Sequence, residues 1–356
     1  MKRWTNLALF VLLGLAFVTG WVAFFYATAP SRASLIVHAV SGYAIVALTP
    51  WKSVIASHGI RRRRSGWWAS VVLTALVLVS VVAGILHSTG LLVSVGVISA
   101  MEVHVGAALV AVPFVIWHVV ARRLPVRAVD LSRRSLLRAG ALLAGAGLAY
   151  GAGEGVVRVL TLPGSRRRFT GSYEYGSLDA ALLPATQWMF DSVPTIDPAS
   201  WRLVLRAGSS VRQWTYDELL AFDDRVRATL DCTGGFYSTQ DWSGVWLSRL
   251  LACFQTDGGP LPPPCGEGRG GGPVAVAAAG SVHVRSRTGY DRRFSIESAG
   301  RLLIATRVGD QPLDPGHGFP VRLVAPDRRG YWWVKWVTAI TIDELPSWWQ
   351  LPFPMQ

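Results

Sequence analysis

The stretch SRRSLLRAGALLAGAGLAYGAG, residues 132–153, divides the chain into two unlike parts. Its start, Ser132 to Leu137, matches the Ser-Arg-Arg-x-apolar-apolar pattern of twin-arginine export signals, and a weakly apolar Gly/Ala run follows, as in such signals. An export signal normally opens a protein, whereas this one follows a long and mostly apolar segment. The alternative interpretation is a basic flank before an ordinary fifth membrane span. Under either interpretation, the stretch marks the junction between a membrane part and the rest of the chain.

Windows of about twenty apolar residues predict five membrane-spanning helices. They lie near residues 5–27, 34–56, 67–88, 97–120 and 136–160. Residues 1–138 contain fourteen Lys and Arg and two acidic residues, so they hold twelve of the thirteen net positive charges. These basic residues cluster on alternate loops, which predicts contact with membrane lipid, a cytoplasmic N-terminus and an extracytoplasmic segment after the fifth span. Because membrane topology explains the high pI, we exclude nucleic-acid binding.

The predicted architecture is a membrane α-helical bundle followed by an extracytoplasmic α+β domain that is mostly β. The predicted parts are a four-helix transmembrane domain over 1–125, a signal-like fifth span over 126–161 and an outer domain over 162–356. Trp201–Gly208 alternates like a strand, and YWWVKWVTAITI at 331–342 also indicates a strand. Thr215, with Glu218 three residues later, predicts a capped helix. Residues 258–273 form a low-complexity Gly/Pro loop.

Five histidines in or beside the first four spans point to haem ligation. They are His38, His58, His87, His104 and His118. His104 and His118 lie about 21 Å apart along one helix and about 40° from a common face. This spacing resembles diheme cytochrome b bundles, in which one helix supplies a ligand to a haem near each membrane face. We pair His38 with His104, and His87 is a second candidate at that level.

The inner level of the bundle gives a weaker pattern. His118 could pair with His58, but His58 is twenty residues from His38, which places these two on nearly opposite faces of a helix. Lys52 stands where a diheme pattern would have another ligand, and we interpret it as snorkelling to the inner interface. The sequence therefore predicts one haem b, with two as the alternative. The other role for each single histidine is a hydrogen bond between helices.

A second stretch, LDCTGGFYSTQDWSGVWLSRLLA at residues 230–252, carries the predicted metal chemistry. Cys232 ends an apolar strand at a Gly-Gly turn, where a thiolate can be presented to a metal, and a helix start W-x-G-V-x-L-x-x-L-L follows. Residues 302–340 contain HGFPVR and VKW elements, and DSVPTIDPASWRLVL lies upstream at 191–205. Together these segments resemble the sulfite oxidase family of molybdenum enzymes over nearly all of 185–342.

Carried over by position, the resemblance implies that Cys232 binds molybdenum. The residues that it implies for binding a molybdopterin cofactor are Thr233, His317, Gly318, Arg322, Lys335 and Trp336. The His, Arg and Lys side chains would hold the pterin and its phosphate by charge-assisted hydrogen bonds, and Gly318 would let the backbone approach the pterin. The alternative for Cys232 is a buried structural cysteine.

The sequence defines the substrate only broadly. Tyr290 is our candidate for substrate contact. Arginines that could form an anion pocket stand at positions 249, 285, 287 and 292. Asp231, directly before the cysteine, is unlike such a pocket. It weakens the case for a sulfite-like oxoanion and leaves a sulfoxide or another small oxo-acceptor open, unless it only caps the turn. Cys253 and Cys265 flank the start of the Gly/Pro loop, and a disulfide between them would suit an exported domain. The alternative is two unpaired cysteines, which an oxidising compartment disfavours.

The sequence thus predicts a membrane-anchored molybdopterin-dependent oxidoreductase of the sulfite oxidase family. It would act on a small-molecule substrate outside the cytoplasmic membrane and exchange electrons with quinone, or another respiratory redox partner, through haem b. One alternative is a non-catalytic membrane cytochrome b that serves electron transfer or assembly and has a degenerate outer domain. Another is a membrane anchor whose histidines serve only packing.

Overall fold

A computed structural model describes residues 2–28, 30–61, 66–96, 98–121, 127–188, 191–252 and 280–351. The chain divides into two compact units. The first comprises Met1–Tyr173 with Thr233–Phe236, and the second comprises Glu174–Cys232 with Tyr237–Gln356. The Gly/Pro loop at 258–273 and the predicted Cys253–Cys265 disulfide lie outside the described residues, so both stay predictions.

The first unit contains five helices that are long and apolar enough to cross a membrane by length and composition. They are α1 (Lys2–Phe25), α2 (Ser31–Arg61), α3 (Trp67–Thr89), α4 (Ala100–Ala121) and α5 (Arg133–Val159). A two-stranded hairpin of β1 (Ser94–Val95) and β2 (Ile98–Ser99) lies between α3 and α4. The five apolar helices predicted from hydropathy are confirmed.

These helices pack in pairs, with α1 against α2, α3 against α4 and α5 against α2. A buried cluster joins α1, α2 and α5 through Leu12, Ala44, Ile45, Leu48 and Ala146. The α5 helix begins directly after Ser132, whose side chain accepts a hydrogen bond from the backbone N–H of Ser135. The twin-arginine pair therefore opens a regular, capped helix.

The second unit consists mainly of two β-sheets, which confirms the mostly β prediction. The first sheet contains β4 (Arg202–Ala207), β5 (Ser210–Thr215), β8 (Ser281–Ser286), β9 (Asp291–Ser295) and β13 (Val337–Asp343). Its strand order is β5-β4-β13-β8-β9. The central pair β13 and β4 is parallel, and the other pairs are antiparallel.

The second sheet positions the cysteine. It contains β3 (Tyr173–Glu174), β6 (Asp224–Asp231), β7 (Phe236–Trp246), β10 (Leu303–Val308), β11 (Gln311–Pro312) and β12 (Arg322–Val324). Strand β10 pairs with β7, β11 and β12, and β6 forms an antiparallel hairpin with β7. Because the last pair of this hairpin joins Asp231 to Tyr237, Cys232 stands at the first position beyond the ladder.

The helices and strands predicted from local sequence patterns in this unit are only partly confirmed. Helix α6 (Tyr216–Leu220) has the predicted capping box between Thr215 and Glu218. The strand predicted over 331–342 is wrong in its first half: Gly330–Trp332 is a short helical turn, and Trp336 has a φ of 50° that a strand does not allow. The helix predicted to start in the Trp242 motif begins later, because β7 runs to Trp246 and α7 (Leu247–Ala252) follows it.

Candidate active site

Cys232 directly follows β6, and the chain at Arg329 and Gly330 packs against its backbone. A Cβ atom on Gly330 would lie 3.2 Å from the Cα atom of Cys232, so this close approach favours glycine. Arg329 donates a hydrogen bond of 3.0 Å to the carbonyl oxygen of Cys232. The Nε atom of Arg329 lies 3.6 Å from Oδ1 of Asp231, and both side chains are buried. Asp231 therefore forms a buried ion pair that supports the backbone at Cys232, and it is not a surface turn cap.

An irregular segment before β4 reaches the same place. The side-chain oxygen of Thr186 lies 3.7 Å from Sγ of Cys232. The carbonyl oxygen of Thr186 accepts a hydrogen bond of 2.6 Å from Nζ of Lys335. Three residues earlier, the carbonyl oxygen of Leu183 lies 2.8 Å from Nε2 of His317. Sequence reasoning missed this segment because it has neither a periodic pattern nor a chemically distinctive residue.

The structure brings together four of the residues predicted to bind the pterin. Arg322 donates a hydrogen bond of 3.1 Å to the carbonyl oxygen of His317, and Lys335 donates one of 2.6 Å to the carbonyl oxygen of Gly316. Gly318 has a φ of 111°, and a Cβ atom there would lie 3.0 Å from Cβ of Arg322 and 3.2 Å from Cβ of Lys335. Glycine is needed at this position for both its conformation and its size.

Burial disfavours the positively charged forms of the side chains in this cluster. Burial lowers the pKa of Arg322 to about 9. The pKa of Lys335 falls to about 7, mainly through burial and secondly through the charge of Arg322. The pKa of His317 is lowered by the same two causes. Within the described residues, Nε of Arg322 is buried without a hydrogen-bond partner, and Nδ1 of His317 lies 3.6 Å from a carboxylate oxygen of Asp314. The cationic groups of Arg322 and Lys335 fit an anionic cofactor that carries a phosphate. Nε2 of His317 faces a carbonyl oxygen, so a neutral His317 keeps its lone pair on Nδ1 and can only accept a hydrogen bond there.

The two other predicted pterin-binding residues differ in placement. Trp336 is buried beside the cluster, where its indole N–H donates to the carbonyl oxygen of Pro315 at 2.7 Å and its ring lies 5.4 Å from Nζ of Lys335. Thr233 belongs to the turn Thr233–Phe236, which groups with the first unit. The contact of Thr233 with a cofactor therefore stays a prediction.

Tyr290, the predicted substrate contact, is buried within the second unit. Its hydroxyl donates a short hydrogen bond to the carbonyl oxygen of Tyr331, and burial raises its pKa. The guanidinium of Arg292 lies between 5.3 and 5.8 Å from the rings of Tyr290, Tyr331 and Trp332. The structure thus assigns Tyr290 to an aromatic cage around Arg292, and its contact with substrate stays a prediction.

Of the other candidate arginines, two face carboxylates. Arg249 lies 2.7 Å from Asp224, and Arg285 lies 4.0 Å from Asp291. Arg287 is exposed. These arrangements do not by themselves assemble an anion pocket from the candidate arginines.

In the first unit, the structure brings His38 and His104 together. Their ring centroids are 5.6 Å apart, and the rings are almost perpendicular at 87°. Nδ1 of His38 lies 2.7 Å from the carbonyl oxygen of Ala16, and Nδ1 of His104 lies 2.7 Å from that of Ser80. Because a carbonyl oxygen only accepts, each Nδ1 carries the proton and each Nε2 keeps its lone pair. This arrangement is typical of metal-ligating histidines.

Two glycines make room for these rings. A Cβ atom on Gly20 would lie 3.0 Å from the ring of His38, and one on Gly84 would lie 2.9 Å from Nδ1 of His104. Neither glycine was recognised from the sequence, because nothing local distinguishes them from the many other glycines of these spans. These two glycines therefore allow the rings of His38 and His104 to pack closely against neighbouring helices.

The other candidate residues of the first unit have different surroundings. Nε2 of His87 lies 2.8 Å from the carbonyl oxygen of Gly171, so a neutral His87 keeps its lone pair on Nδ1. His118 lies 3.3 Å from the hydroxyl of Ser70 through Nδ1. Lys52 donates to the amide oxygen of Asn6 at 2.9 Å, a contact between α2 and α1 that the snorkelling interpretation did not include. The side chain of His58 lies outside the described residues.

Taken together, the cysteine at a strand end and the buried basic cluster define the second unit as a candidate cofactor-binding redox domain. Comparison with protein families agrees, because residues 190–349 match the oxidoreductase molybdopterin binding domain. This region is a molybdopterin-binding oxidoreductase domain with sulfite oxidase and nitrate reductase relatives. The part of the sequence resemblance that concerned the molybdenum domain is thereby confirmed.

The similar proteins match only part of this chain. Mitochondrial sulfite oxidases of Rattus norvegicus and Homo sapiens are each 27% identical over 187 residues, which cover 44% of this chain and 32% of theirs. Nitrate reductase [NADH] 2 of Arabidopsis thaliana is 32% identical over 113 residues, 31% of this chain and 12% of its own. The chain thus spans about a third or less of these relatives. The sulfane dehydrogenase SoxCD from Paracoccus pantotrophus is 21% identical with a TM-score of 0.35, covering 43% of this chain and 40% of that one.

Proposed function

We propose that this protein is a membrane-anchored molybdenum oxidoreductase. The observation that carries the proposal is the position of Cys232 at the end of β6, with Thr186 linking it to the lysine of the basic cluster. A structural cysteine would not need a neighbouring cluster of buried cationic groups. The proposed parts are a haem-binding transmembrane domain over 1–125, a signal-like span over 126–161 and a catalytic domain over 162–356.

Different residues of the second unit would bind different parts of the cofactor. Cys232 supplies the thiolate for molybdenum, while Arg322 and Lys335 neutralise the anionic pterin and its phosphate. His317, whose Nε2 proton faces the carbonyl oxygen of Leu183, offers Nδ1 as a hydrogen-bond acceptor, 3.6 Å from a carboxylate oxygen of Asp314. Gly318 leaves space for the backbone to approach the ligand. When bound, the cofactor supplies a metal that exchanges two electrons or an oxygen atom with a substrate.

We further propose that the first unit binds one haem b between His38 and His104. The two Nδ1 protons face backbone carbonyls, which would leave both Nε2 lone pairs available to iron. A second haem would need further ligands, for which His118 and His87 are the candidates; each also has one ring nitrogen next to a hydrogen-bond partner. Electrons would pass one at a time between the molybdenum domain and quinone, or another respiratory partner, through this haem.

The proposed topology places the N-terminus in the cytoplasm and the catalytic domain outside the cytoplasmic membrane. Its support is the clustering of basic residues on alternate loops and the twin-arginine pattern before α5. A sulfite-like oxoanion or a sulfoxide is the proposed substrate class. The buried ion pair between Asp231 and Arg329 means that Asp231 does not argue against an anion.

Two variants test this proposal and serve as controls for each other. Full-length wild type, Cys232→Ser and His104→Ala are purified from a host that makes molybdopterin and exports by the twin-arginine route. Molybdenum per chain and the haem absorption band are measured for each. Cys232→Ser should lose turnover with an unchanged haem band, whereas His104→Ala should lose the haem band and retain molybdenum.

Molybdenum and turnover retained in Cys232→Ser would exclude Cys232 as the ligand. A wild type that is well folded, has haem and contains no molybdenum would favour the alternative of a non-catalytic membrane cytochrome b. A wild type without a haem band would remove the electron route through the first unit.

A further inference from the structure

Thr186 occupies a special place because one residue contacts both halves of the candidate cofactor site. Its side-chain oxygen lies 3.7 Å from Sγ of Cys232, and its carbonyl oxygen accepts the ammonium of Lys335 at 2.6 Å. Contacts on both sides hold the surrounding segment in place. The carbonyl oxygen of Leu183 contacts His317, and the ring of Trp188 packs 5.8 Å from that of Tyr331.

The direction of the hydrogen bond between Thr186 and Cys232 follows from chemistry. In a thiol, either the sulfur or the oxygen could be the donor. A thiolate that binds a metal has no proton, so only the Thr186 hydroxyl can donate. A distance of 3.7 Å is within the usual range for a hydrogen bond to sulfur. The hydrogen bond from Lys335 holds the backbone of Thr186. A hydrogen bond to the sulfur therefore has to restrict mainly the rotation of the Thr186 side chain.

We propose that Thr186 is a positioning residue that donates its hydroxyl hydrogen bond to the Cys232 thiolate and thereby tunes the metal. The inference rests on the proposed function, in which Cys232 binds molybdenum. A hydrogen bond to a ligand sulfur draws electron density from the metal and stabilises its reduced form, as at iron–sulfur centres. Thr186 therefore raises the reduction potential of molybdenum and fixes the orientation of its cysteine ligand.

Three substitutions in the full-length protein test this inference. Thr186→Val removes the hydroxyl at nearly constant volume, and Thr186→Ser keeps it. Thr229→Val is the matched control, because Thr229 lies on the strand that ends before Cys232 but forms its hydrogen bond with Thr239. Molybdenum content is measured first, and the midpoint potential is then obtained by titrating the Mo(V) electron paramagnetic resonance signal.

Thr186→Val should make one-electron reduction less favourable by at most about fivefold, because the hydrogen bond exists in both oxidation states and only the difference in its strength shifts the potential. At 59 mV per tenfold change, this is a decrease of at most about 40 mV. The Thr186→Ser and Thr229→Val proteins should keep the wild-type potential within about 10 mV, a sixth of that tenfold interval. A merely structural role would not distinguish serine from valine in this way.

The outcomes distinguish a failure of the role given to Thr186 from a failure of the proposed function. Loaded Thr186→Val with an unchanged potential and Mo(V) signal would overturn the inference and leave the proposed function intact. Wild type without molybdenum would overturn the proposed function. If only the Thr186→Val protein fails to bind molybdenum, a second measurement tests the inference. The alkylation rate of Cys232 is then measured in cofactor-free protein by mass spectrometry of the peptide that contains this cysteine. An alkylation rate that is severalfold lower than wild type in Thr186→Val, but not in Thr186→Ser, supports a Thr186 hydroxyl that stabilises the Cys232 thiolate. Equal rates in the two variants overturn the inference.

Discussion

Replacing Arg322 by methionine should stabilise the cofactor-free protein while it removes cofactor binding. Arg322 is almost completely buried between Trp242 and Trp333. A pKa lowered from 12.5 to about 9 corresponds to about 5 kcal/mol against the charged form, at about 1.4 kcal/mol per pKa unit. The hydrogen bond to His317 and two cation–π contacts offset about 3 kcal/mol. Removing the charge should therefore stabilise the cofactor-free fold by about 2 kcal/mol, as replacement of buried ions by apolar side chains often does.

Amide hydrogen exchange of the full-length protein measures this effect, because peptides from β10 and β12 report the opening of the sheet around Arg322. Wild type and Arg322→Met are compared after expression without molybdopterin. The matched control is Arg292→Met, since Arg292 is also buried but donates to the carbonyl oxygen of Leu351 and to Gln350. This control should lose about 1–2 kcal/mol, because those acceptors are left without their donor.

Expression with molybdopterin should reverse the order, because bound anion stabilises only the protein that has the arginine. A cofactor-free Arg322→Met protein that exchanges faster than wild type would refute the reasoning. It would mean that the arginine is a structural residue whose contacts outweigh the cost of its burial.

Three further predictions concern Lys335, Gly318 and Gly84. Since the pKa of Lys335 is about 7 against an ordinary value of 10.5, the cofactor-free fold binds fewer protons than the unfolded chain between these values, so its stability should rise with pH there. An anionic cofactor favours the charged lysine, so cofactor retention should instead fall as pH rises above about 7. Amide hydrogen exchange of the cofactor-free protein checks the stability trend, dialysis of the loaded protein checks retention, and Lys335→Met should flatten both. Gly318→Ala should cost about 1–3 kcal/mol and most of the bound molybdenum, because its φ of 111° strains any side chain; full metal content would contradict this. Gly84→Ala should weaken haem binding about tenfold by displacing the ring of His104, whereas Gly106→Ala, where a Cβ atom meets nothing within 4 Å, should keep the haem band; equal bands in the two variants would contradict the close-packing argument.

Several features were predictable because they depend on short-range patterns. Apolar runs of about twenty residues predicted the five helices, and the Thr215–Glu218 spacing predicted a capping box that the structure contains. Where the local pattern was misleading, tertiary packing was the cause. The aromatic run before Val337 resembles a strand, but its tryptophans are buried in irregular backbone.

The sequence by itself determined which chemical groups are available: a cysteine at a Gly-Gly turn, a basic segment around Arg322 and Lys335, and histidines inside apolar spans. Only the tertiary structure decided which of them meet, because Thr186 and Cys232 are 46 residues apart and Thr186 and Lys335 are 149 apart. Hydrogen bonds to backbone carbonyls have no sequence signature, since every residue has the same carbonyl group. The partners of the histidines and of Lys335 could therefore emerge only from the folded chain, where burial turns these carbonyls into specific acceptors.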